Sequence, residues 1–520
     1  MQFSTTIGLA LGLMAAGPTH SAAVIRSNNL NPSTNATVQL TSCLSAAGTP
    51  YEVPGSRDWA AASAPFNARV RFSPAAIAAP TTTSQARAAL LCGRRGGFRV
   101  TPKSGGHSYA SLGFGGEDGH LVIRLDGLVG VTLDPRTNVA TVAAGTRLGT
   151  LALELYRQGG RAISHGTCPG VGVSGHVLHG GFGMSSHTHG LALDWVVGMR
   201  VLLASGDVVR ASATENSALF WAMLGAGSSF GIALSYDFAT FAAPAQVTVF
   251  SAALPTWADD EDAAIAGLRA LDAWGRDAMP AALNMRLAGT TRGASLEGVF
   301  FGDAAGLRAA LAPLLPRLGG ANITADDTLG WLGALEHYAN GDLSPPVPYD
   351  PHETFYAKSL TLSGLGGRSL SAFAAYWYGP ARRVSRDWWF QVDLHGGRNS
   401  AVSGNGNGTG PSGSPVTSSY AHRDKLFLVQ LYDRALTGAY PADGFGFLDG
   451  WVADTTAPLA EEGGDGSWGM YANYVDARLG RDTAQSVYWR RNLPTLRRLK
   501  ARFDPSEVFY SPISIAPAAL

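Results

Sequence analysis

Residues 166–183 read GTCPGVGVSGHVLHGGFG, and residues 102–109 read PKSGGHSY. Within the first stretch, residues 170–175 match G-x-G-x-x-G, and Asp194 follows at the distance typical of a Rossmann dinucleotide fingerprint. That fingerprint must open a helix, yet residues 177–183 contain three further glycines, and each glycine costs roughly 1 kcal/mol inside a helix. No clear apolar strand precedes the pattern either. The stretch therefore favours a backbone cradle, whose successive N–H groups face a phosphate, over a Rossmann site.

The chain has three cysteines, of which two form a candidate disulfide pair and one is left as a single thiol. In an oxidising compartment two of the three are expected to form a disulfide. Cys43 and Cys92 both precede the glycine-rich stretches, so we predict that these two pair. Cys168 is then an unpaired thiol within a glycine-rich loop, 61 residues after the histidine of Ser-Gly-Gly-His-Ser, His107. Histidine and cysteine are the two nucleophiles commonly able to hold a flavin covalently.

This combination resembles the secreted berberine-bridge-enzyme-like FAD oxidases, which have the vanillyl-alcohol-oxidase (PCMH-type) fold. Within them it is most similar to the fungal oligosaccharide oxidases of the glucooligosaccharide oxidase type. The resemblance implies an α+β fold with a two-part PCMH-type FAD-binding domain and a substrate domain whose antiparallel sheet is covered by helices. The implied divisions are a FAD-binding domain at 66–245, a substrate domain at 246–470 with a flexible loop at 396–419, and a C-terminal segment at 471–520 that returns to the FAD domain.

The resemblance also assigns the cofactor, which is FAD attached twice. The 8α-methyl group of the flavin would be bound by His107 and its C6 atom by Cys168. The other implied cofactor-binding residues are Ser104, Gly105, Gly106, Ser108, Gly166, Thr167, Gly172, Gly175, His176, Gly183, Gly231 and Ile232. At two positions the chain departs from the family pattern, because Ser229 replaces an expected Asn and His179 an expected Gly.

A flavin oxidises an alcohol only if the hydroxyl proton leaves while a hydride is transferred, so a base is needed beside the ring. The family pattern Y-x-N-Y offers Tyr474 as that base, acting as a phenolate, and a W-x-Q-x-D strand offers Asp393 as the hydrogen-bond partner of Tyr474. The implied substrate contacts are Tyr109, Trp389, Gln391, Gln430 and Tyr471. Val171 is implied to admit O₂ to the flavin. The alternative for these side chains is ordinary packing within a sheet.

Four histidines, at 176, 179, 187 and 189, could suggest zinc. No Asp, Glu or Cys stands at ligand spacing beside them, so we predict hydrogen-bonded histidines and no metal site. Lys and Arg number 39, as do Asp and Glu, which argues against a nucleic-acid partner. The expected partners are a small-molecule or oligosaccharide substrate and O₂, and the expected oligomeric state is a monomer.

The N-terminus predicts export from the cell. Residues 7–16 form a short apolar run followed by small residues, which is typical of a signal peptide cleaved near Ala23 and too short to span a membrane. Sequons at Asn35, Asn322 and Asn407 agree with secretion. We therefore expect a secreted, glycosylated protein without a membrane span.

Local patterns predict the elements. Short apolar or alternating runs predict strands at 121–128, 131–134 and 139–145, and a β-hairpin at 195–212. Leucines at 148, 151 and 155 predict a helix over 148–158, ended by a Gly-Gly pair. Ala- and Leu-rich stretches predict helices at 260–275 and 303–318.

Three functions remain open at this stage. The first is an oxidase that converts the C1 hydroxyl of a reducing oligosaccharide to a lactone and O₂ to H₂O₂. The second is an oxidase or cyclase of a secondary metabolite on the same scaffold. The third is a flavin-containing binding protein that has lost its activity.

Overall fold

The computed structural model describes residues 34–404, 417–462 and 466–519. The predicted signal peptide 1–23, the sequon at Asn407 and the centre of the predicted loop 396–419 lie outside the described residues. The other two sequon asparagines, Asn35 and Asn322, are exposed. Within the described ranges, no helix is both long and apolar enough to cross a membrane.

Helices cover the sheets in each part of the chain. The α-helices of the described part are α1 (Thr34–Ala46), α2 (Trp59–Ala62), α3 (Thr83–Arg95), α4 (Leu148–Gly159), α5 (Val173–Val177), α6 (Ser186–His189), α7 (Ser217–Ala226), α8 (Glu261–Asp277), α9 (Ala304–Leu311), α10 (Trp331–Ala339), α11 (Gly367–Tyr378), α12 (Gly444–Glu462), α13 (Arg481–Trp489) and α14 (Leu493–Phe503). The predicted helices at 148–158 and 260–275 correspond to α4 and α8. The stretch 303–318 is α9 followed by a separate turn at Leu315–Leu318, because Pro313 and Pro316 interrupt the helical hydrogen bonds.

The first sheet has four strands in the order β1-β2-β4-β3. Its strands are β1 (Tyr51–Glu52), β2 (Ala76–Ala78), β3 (Val100–Lys103) and β4 (Leu121–Arg124). Strands β2, β4 and β3 are parallel, and α3 makes the crossover from β2 to β3, which lie on the two sides of β4. The loop 104–109 therefore leaves the carboxyl end of β3, at the edge of a parallel sheet where ligands usually bind. The predicted Cys43–Cys92 disulfide joins α1 to α3.

The second sheet is antiparallel and has five strands in the order β5-β6-β10-β8-β9. Its strands, with those of the two-stranded ribbon β7–β11, are β5 (Val131–Asp134), β6 (Val139–Ala143), β7 (Arg161–Ala162), β8 (Val196–Leu202), β9 (Val208–Ser212), β10 (Ile232–Ala239) and β11 (Phe241–Ala242). Strands β8 and β9 form the hairpin predicted at 195–212.

The third sheet is antiparallel and has eight strands in the order β15-β12-β14-β13-β17-β18-β16-β19. Its strands are β12 (Val247–Leu254), β13 (Leu283–Thr290), β14 (Gly293–Phe300), β15 (Asn322–Leu329), β16 (Thr354–Leu362), β17 (Asp387–Leu394), β18 (Phe427–Ala435) and β19 (Trp468–Gly469). Helices α8, α11 and α12 pack together with this sheet, so the α+β fold class is confirmed. The division of the chain into domains at the stated residues stays a prediction.

One local expectation stays a prediction and another is wrong. In the predicted flexible loop 396–419, Ser400, Val402 and Ser419 are fully buried, whereas Gly404 and Thr417 are exposed, so a flexible loop between these two residues stays a prediction. A helix does follow the G-x-G-x-x-G pattern, because α5 begins directly after Gly172. That helix is a single turn, and residues 163–172 separate it from the preceding two-residue strand Arg161–Ala162, so the arrangement still differs from a Rossmann unit.

The C-terminal segment returns to the first half of the chain through Ser229. Lys500 Nζ donates to the Ser229 carbonyl at 2.6 Å, and the Ile515 N–H donates to Ser229 Oγ at 3.1 Å. The serine that replaces the expected Asn is thus the docking point of the last segment. Strand β3 makes a further contact, from the Val100 N–H to the Val508 carbonyl at 2.8 Å.

Candidate active site

A cavity of about 520 Å³ lies where the two glycine-rich loops meet the third sheet and the C-terminal segment. This volume is within the range of ligand and cofactor sites. Its walls are drawn from residues 100–113, 166–184, 228–233, 471–475 and 509–514, together with side chains of β13, β17 and β18.

The two glycine-rich loops touch each other through their backbones. A Cβ atom on Gly105 would overlap the backbone of Gly172, and a Cβ on Gly172 would overlap that of Gly105. Arg147 ties the loops together, because its guanidinium donates to the Gly105 carbonyl at 3.0 Å and also to the Gly170 carbonyl. Glycine is therefore required here to bring the two loops into contact.

Contact between the loops places His107 beside Cys168. Cys168 Sγ lies 3.6 Å from His107 Nε2, and the ring of Phe66 stacks on the imidazole with a centroid distance of 3.7 Å. Burial, with a smaller contribution from Arg147, lowers the pKa of His107 to about 4. The imidazole is therefore neutral and nucleophilic at physiological pH. Burial also raises the pKa of the Cys168 thiol.

These residues fit FAD. The donor set contains a neutral imidazole and a thiol side by side, and Gly175 faces open space, with no atom within 4 Å of a Cβ built on it. The predicted cofactor-binding residues that line the cavity are Ser104, Gly105, Gly106, His107, Ser108, Gly166, Thr167, Cys168, Gly172, Gly175, His176, Gly183 and Gly231. Ile232 is outside this lining, because its side chain is fully buried in β10 opposite Leu202.

Tyr471 holds the second glycine-rich loop through its hydroxyl oxygen. Its phenol oxygen accepts hydrogen bonds from the N–H groups of Gly181 at 2.9 Å and Phe182 at 3.1 Å. It also accepts one from Asn473 Nδ2 at 3.0 Å. The ring is fully buried. Tyr471 therefore shapes the loop, and because it also lines the cavity, its role in substrate binding stays a prediction.

Strands β17 and β18 supply the polar wall of the cavity. Trp389, Gln391 and Asp393 alternate along β17 and all three face the cavity, as side chains two residues apart share one face of a strand. Gln430 lies directly opposite Gln391 on β18, and Gln430 Nε2 donates to the hydroxyl of Tyr109 at 2.8 Å. Five of the predicted site residues are thus adjacent in space.

Tyr474 faces the same cavity but does not make the predicted hydrogen bond to Asp393. The Tyr474 ring lies parallel to that of Tyr109 at a centroid distance of 5.8 Å and perpendicular to that of Tyr471 at 5.0 Å. Burial, and next the charge of Asp393, raise the pKa of Tyr474 well above 10. Within the described residues, no hydrogen bond joins Tyr474 to Asp393. The two side chains reach the cavity from separate elements. Asp393 acts on Tyr474 through its negative charge, which opposes ionisation of the phenol.

Asp393 has an unusual charge environment. Burial raises the pKa of Asp393 to about 7, although Arg286, which lies opposite it on β13, favours the carboxylate. Glu297, which pairs with Arg286 at 2.5 Å, raises the pKa of Asp393 further through its own negative charge. A carboxyl group that titrates near neutral pH is suited to proton transfer.

Sequence reasoning missed several cavity residues. Lys103 directly precedes the Ser-Gly-Gly-His-Ser segment, and this position is a signal in the sequence. Burial lowers the pKa of Lys103 to about 8. Arg286 and Tyr338 lie in elements without a motif, and only the pairing of strands brings them to the cavity. Tyr349 bonds to His107 from a proline-rich loop that gives no signal in the sequence.

The four clustered histidines have separate surroundings. His176 Nε2 accepts from the Gly166 N–H at 2.9 Å, and His179 Nε2 lies 2.9 Å from Ser228 Oγ. His189 stacks on Phe241 at 4.0 Å, whereas His187 is buried beside Asn284. In the part of the chain that the structure describes, no group of three or more His, Cys, Asp or Glu side chains could hold a metal ion.

Comparisons with known proteins agree with this site. Residues 74–212 match the family model of an FAD binding domain, and residues 470–516 match the model "Berberine and berberine like". A xylooligosaccharide oxidase of Thermothelomyces thermophilus is 48% identical over 92% of this chain and 94% of its own length. A chitooligosaccharide oxidase of Gibberella zeae is 41% identical over the full length of both chains.

A solved structure has the same fold and carries a cofactor. It is a glucooligosaccharide oxidase from Acremonium strictum, described with a 6-S-cysteinyl, 8α-N1-histidyl FAD. It is 42% identical, covers 93% of this chain and all of its own, and superposes with a TM-score of 0.87. Fold, site and similarity together define an FAD-linked oxidoreductase. The chain belongs to the berberine-bridge-enzyme-like FAD-linked oxidases.

Proposed function

We propose that the protein is a secreted oxidase that oxidises the C1 hydroxyl of a reducing oligosaccharide to a lactone. FAD would be attached to both His107 and Cys168. The supporting observation is that one cavity contains this adjacent nucleophile pair and also Tyr474 and Asp393. When bound, FAD supplies the hydride acceptor and passes the electrons to O₂, giving H₂O₂.

The chain's own residues move the hydroxyl proton. Burial, and next the charge of Asp393, raise the pKa of Tyr474 well above 10, which favours its phenol form at neutral pH. We therefore assign Tyr474 the role of a relay, which accepts the substrate proton while its own proton passes to Asp393. The pKa of Asp393, about 7, makes that carboxylate an adequate acceptor. The Tyr474–Asp393 hydrogen bond forms when substrate binds, as catalytic contacts often tighten in the complex.

The remaining polar wall orients the sugar. Gln391 and Gln430 face each other across β17 and β18 and offer amide donors and acceptors to hydroxyl groups. Trp389 stacks on Tyr432 with a centroid distance of 4.8 Å. This contact fixes the indole ring of Trp389, which offers a flat surface on which a sugar ring can stack. The relatives are named for xylo-, chito- and glucooligosaccharides, which supports an oligosaccharide as the substrate class.

The test is anaerobic bleaching of the bound flavin by cello-, malto-, xylo- and chito-oligosaccharides. We expect at least one series to bleach the flavin, and the C1 product to appear as a lactone or aldonic acid. If no sugar bleaches a flavin that survives acid precipitation, the oligosaccharide assignment is wrong. The substrate is then a secondary-metabolite alcohol, which is the second candidate left open by the sequence.

Replacing the relay residue separates an enzyme from an inactive flavoprotein. Tyr474→Phe keeps the ring against Tyr109 but has no proton to pass, so flavin reduction should slow by about 10²–10⁴-fold. Tyr156→Phe, on an exposed residue, is the control and should reduce its flavin at the wild-type rate. Stopped-flow absorbance measures both. Equal rates in Tyr474→Phe and wild type would contradict the proposed mechanism.

We also propose that the mature protein is an extracellular monomer. The short apolar N-terminal run and the exposed sequon side chains at Asn35 and Asn322 support its export. N-terminal sequencing of the secreted protein should find a start near residue 24, and an endoglycosidase should lower its mass. A cell-retained, unglycosylated product would contradict the proposal.

A further inference from the structure

Tyr349 lies on the exposed segment between α10 and β16 but turns its side chain inward. Its neighbour Val347 is 95% exposed, whereas the Tyr349 ring is half-buried. The ring packs so closely on Gly170 that a Cβ atom there would overlap it. The Arg147 guanidinium lies 4.1 Å from the centroid of the same ring. Gly170 of the second glycine-rich loop and Arg147 at the start of α4 therefore hold Tyr349 in place from two directions.

The hydroxyl of Tyr349 reaches both cofactor nucleophiles. Tyr349 Oη lies 3.1 Å from His107 Nε2. A hydrogen bond from Tyr349 also lowers the pKa of Cys168, against the larger effect of burial. Cys168 Sγ is itself 3.6 Å from the same imidazole nitrogen. One phenol group thus connects the two side chains to which FAD would be attached.

We propose that Tyr349 is a positioning residue for covalent attachment of FAD, acting by fixing the tautomer and orientation of His107. This inference rests on the proposed double attachment. A neutral imidazole carries one proton, and only the nitrogen without it has a lone pair for a new bond. When Nε2–H donates to Tyr349 Oη, the lone pair is left on Nδ1. This is the N1 atom that carries the flavin in the glucooligosaccharide oxidase.

The overall attachment reaction balances with O₂ as the oxidant. At His107 one C–H bond of the 8α-methyl group and one N–H bond of the imidazole are replaced by a C–N bond. At Cys168 one C–H bond at C6 and the S–H bond are replaced by a C–S bond. In each case two protons and two electrons are released, and O₂ accepts them to give H₂O₂. The proton released at His107 is the one that Tyr349 holds on Nε2.

The test isolates the His107 bond in a Cys168→Ala background. Protein from riboflavin-starved cells is mixed with FAD in air, and attached flavin is followed as acid-stable fluorescence and as the mass of the His107 peptide. Cys168→Ala/Tyr349→Phe should attach FAD about 3- to 10-fold more slowly than Cys168→Ala, the effect of losing one hydrogen bond. With Cys168 intact, Tyr349→Phe should give an excess of flavin joined through cysteine alone.

Two controls define the result. Tyr378→Phe also removes a tyrosine hydroxyl, one that donates to the Trp257 carbonyl outside the cavity, and its attachment rate should equal wild type. His107→Ala/Cys168→Ala should carry no attached flavin. Equal attachment rates with and without the Tyr349 hydroxyl would overturn the inference, as would a Tyr349→Phe protein that fails to bind FAD at all. Wild-type protein without covalent flavin would instead refute the proposed function.

Discussion

Three influences act on the Asp393 carboxyl group. Burial, which is the largest, and the negative charge of Glu297 favour the neutral acid, whereas the positive charge of Arg286 favours the carboxylate. The outcome is a pKa of about 7. Single residues of this kind set the chemistry of the site, and their effects can be measured one at a time.

The rate of flavin reduction should depend on pH through Asp393. A raised carboxyl pKa means that the proton acceptor exists above about pH 7 and is lost below it. We therefore expect the rate in wild type to rise through pH 7. In Asp393→Asn the rate should be about 10²–10⁴-fold lower, and this step should be absent. Anaerobic stopped-flow measurements from pH 5 to 9 would test this. If the rate of Asp393→Asn still rises through pH 7 as in wild type, the pH dependence belongs to another group.

Val171 should control reoxidation rather than substrate oxidation. It lines the cavity, and its N–H donates to the Cys168 carbonyl at 3.3 Å, so a larger side chain would occupy space beside the flavin. We expect Val171→Leu to slow the reaction of the reduced protein with O₂ about tenfold, equivalent to about 1.4 kcal/mol of barrier. Anaerobic reduction should be unaffected. Val171→Ala, which adds no bulk, is the control, and equal oxygen rates in Val171→Leu and wild type would contradict the assignment.

At the scale of elements, the loop that ends at Gly183 depends on an acceptor far along the chain. Two of its buried N–H groups have the Tyr471 hydroxyl as their acceptor, and an unpaired buried donor costs about 1–3 kcal/mol. This loop and the C-terminal turn therefore stabilise each other.

Tyr471→Phe should lower the free energy of unfolding by about 1–3 kcal/mol, because these N–H groups would lose their acceptor without gaining water. Chemical denaturation followed by tryptophan fluorescence measures this change. Tyr156→Phe, on an exposed tyrosine, should leave the unfolding free energy within about 0.5 kcal/mol of wild type. A Tyr471→Phe protein as stable as this control would show that the hydroxyl is dispensable.

Elements with a local signal could be predicted from the sequence. The leucine spacing in α4 and the turn between β8 and β9 are examples, and the motifs around His107 and Cys168 identified the cofactor loops. Strand pairing could not be predicted, since β13 meets β17 across about one hundred residues of chain. Arg286 reaches Asp393 only through that pairing. The Tyr474–Asp393 hydrogen bond was expected from motifs, but a motif specifies residue types and not the distance between two elements.

At the scale of the whole molecule, a buried ion pair fastens the C-terminal segment. Lys500 Nζ lies 2.6 Å from Asp504 Oδ2, and both side chains are fully buried. Lys500 also donates to the carbonyls of Ser229 and Phe509. The lysine therefore joins the last helix to the FAD-binding half of the protein.

Lys500→Met should lower the free energy of unfolding by about 3–5 kcal/mol, because it leaves the Asp504 carboxylate buried without its partner. Arg502→Met exchanges a basic residue for methionine at an exposed position of the same helix and should change that free energy by less than about 0.5 kcal/mol. Denaturant titration compares the two. If both variants lose a similar amount of unfolding free energy, the loss comes from substitution in the helix and not from breaking the ion pair.

The cavity is lined by residues from Val100 to Ser514, and this has a consequence for biosynthesis. A growing polypeptide has no complete flavin pocket until nearly its whole length has left the ribosome. We therefore expect stable cofactor insertion to be a late, post-translational event.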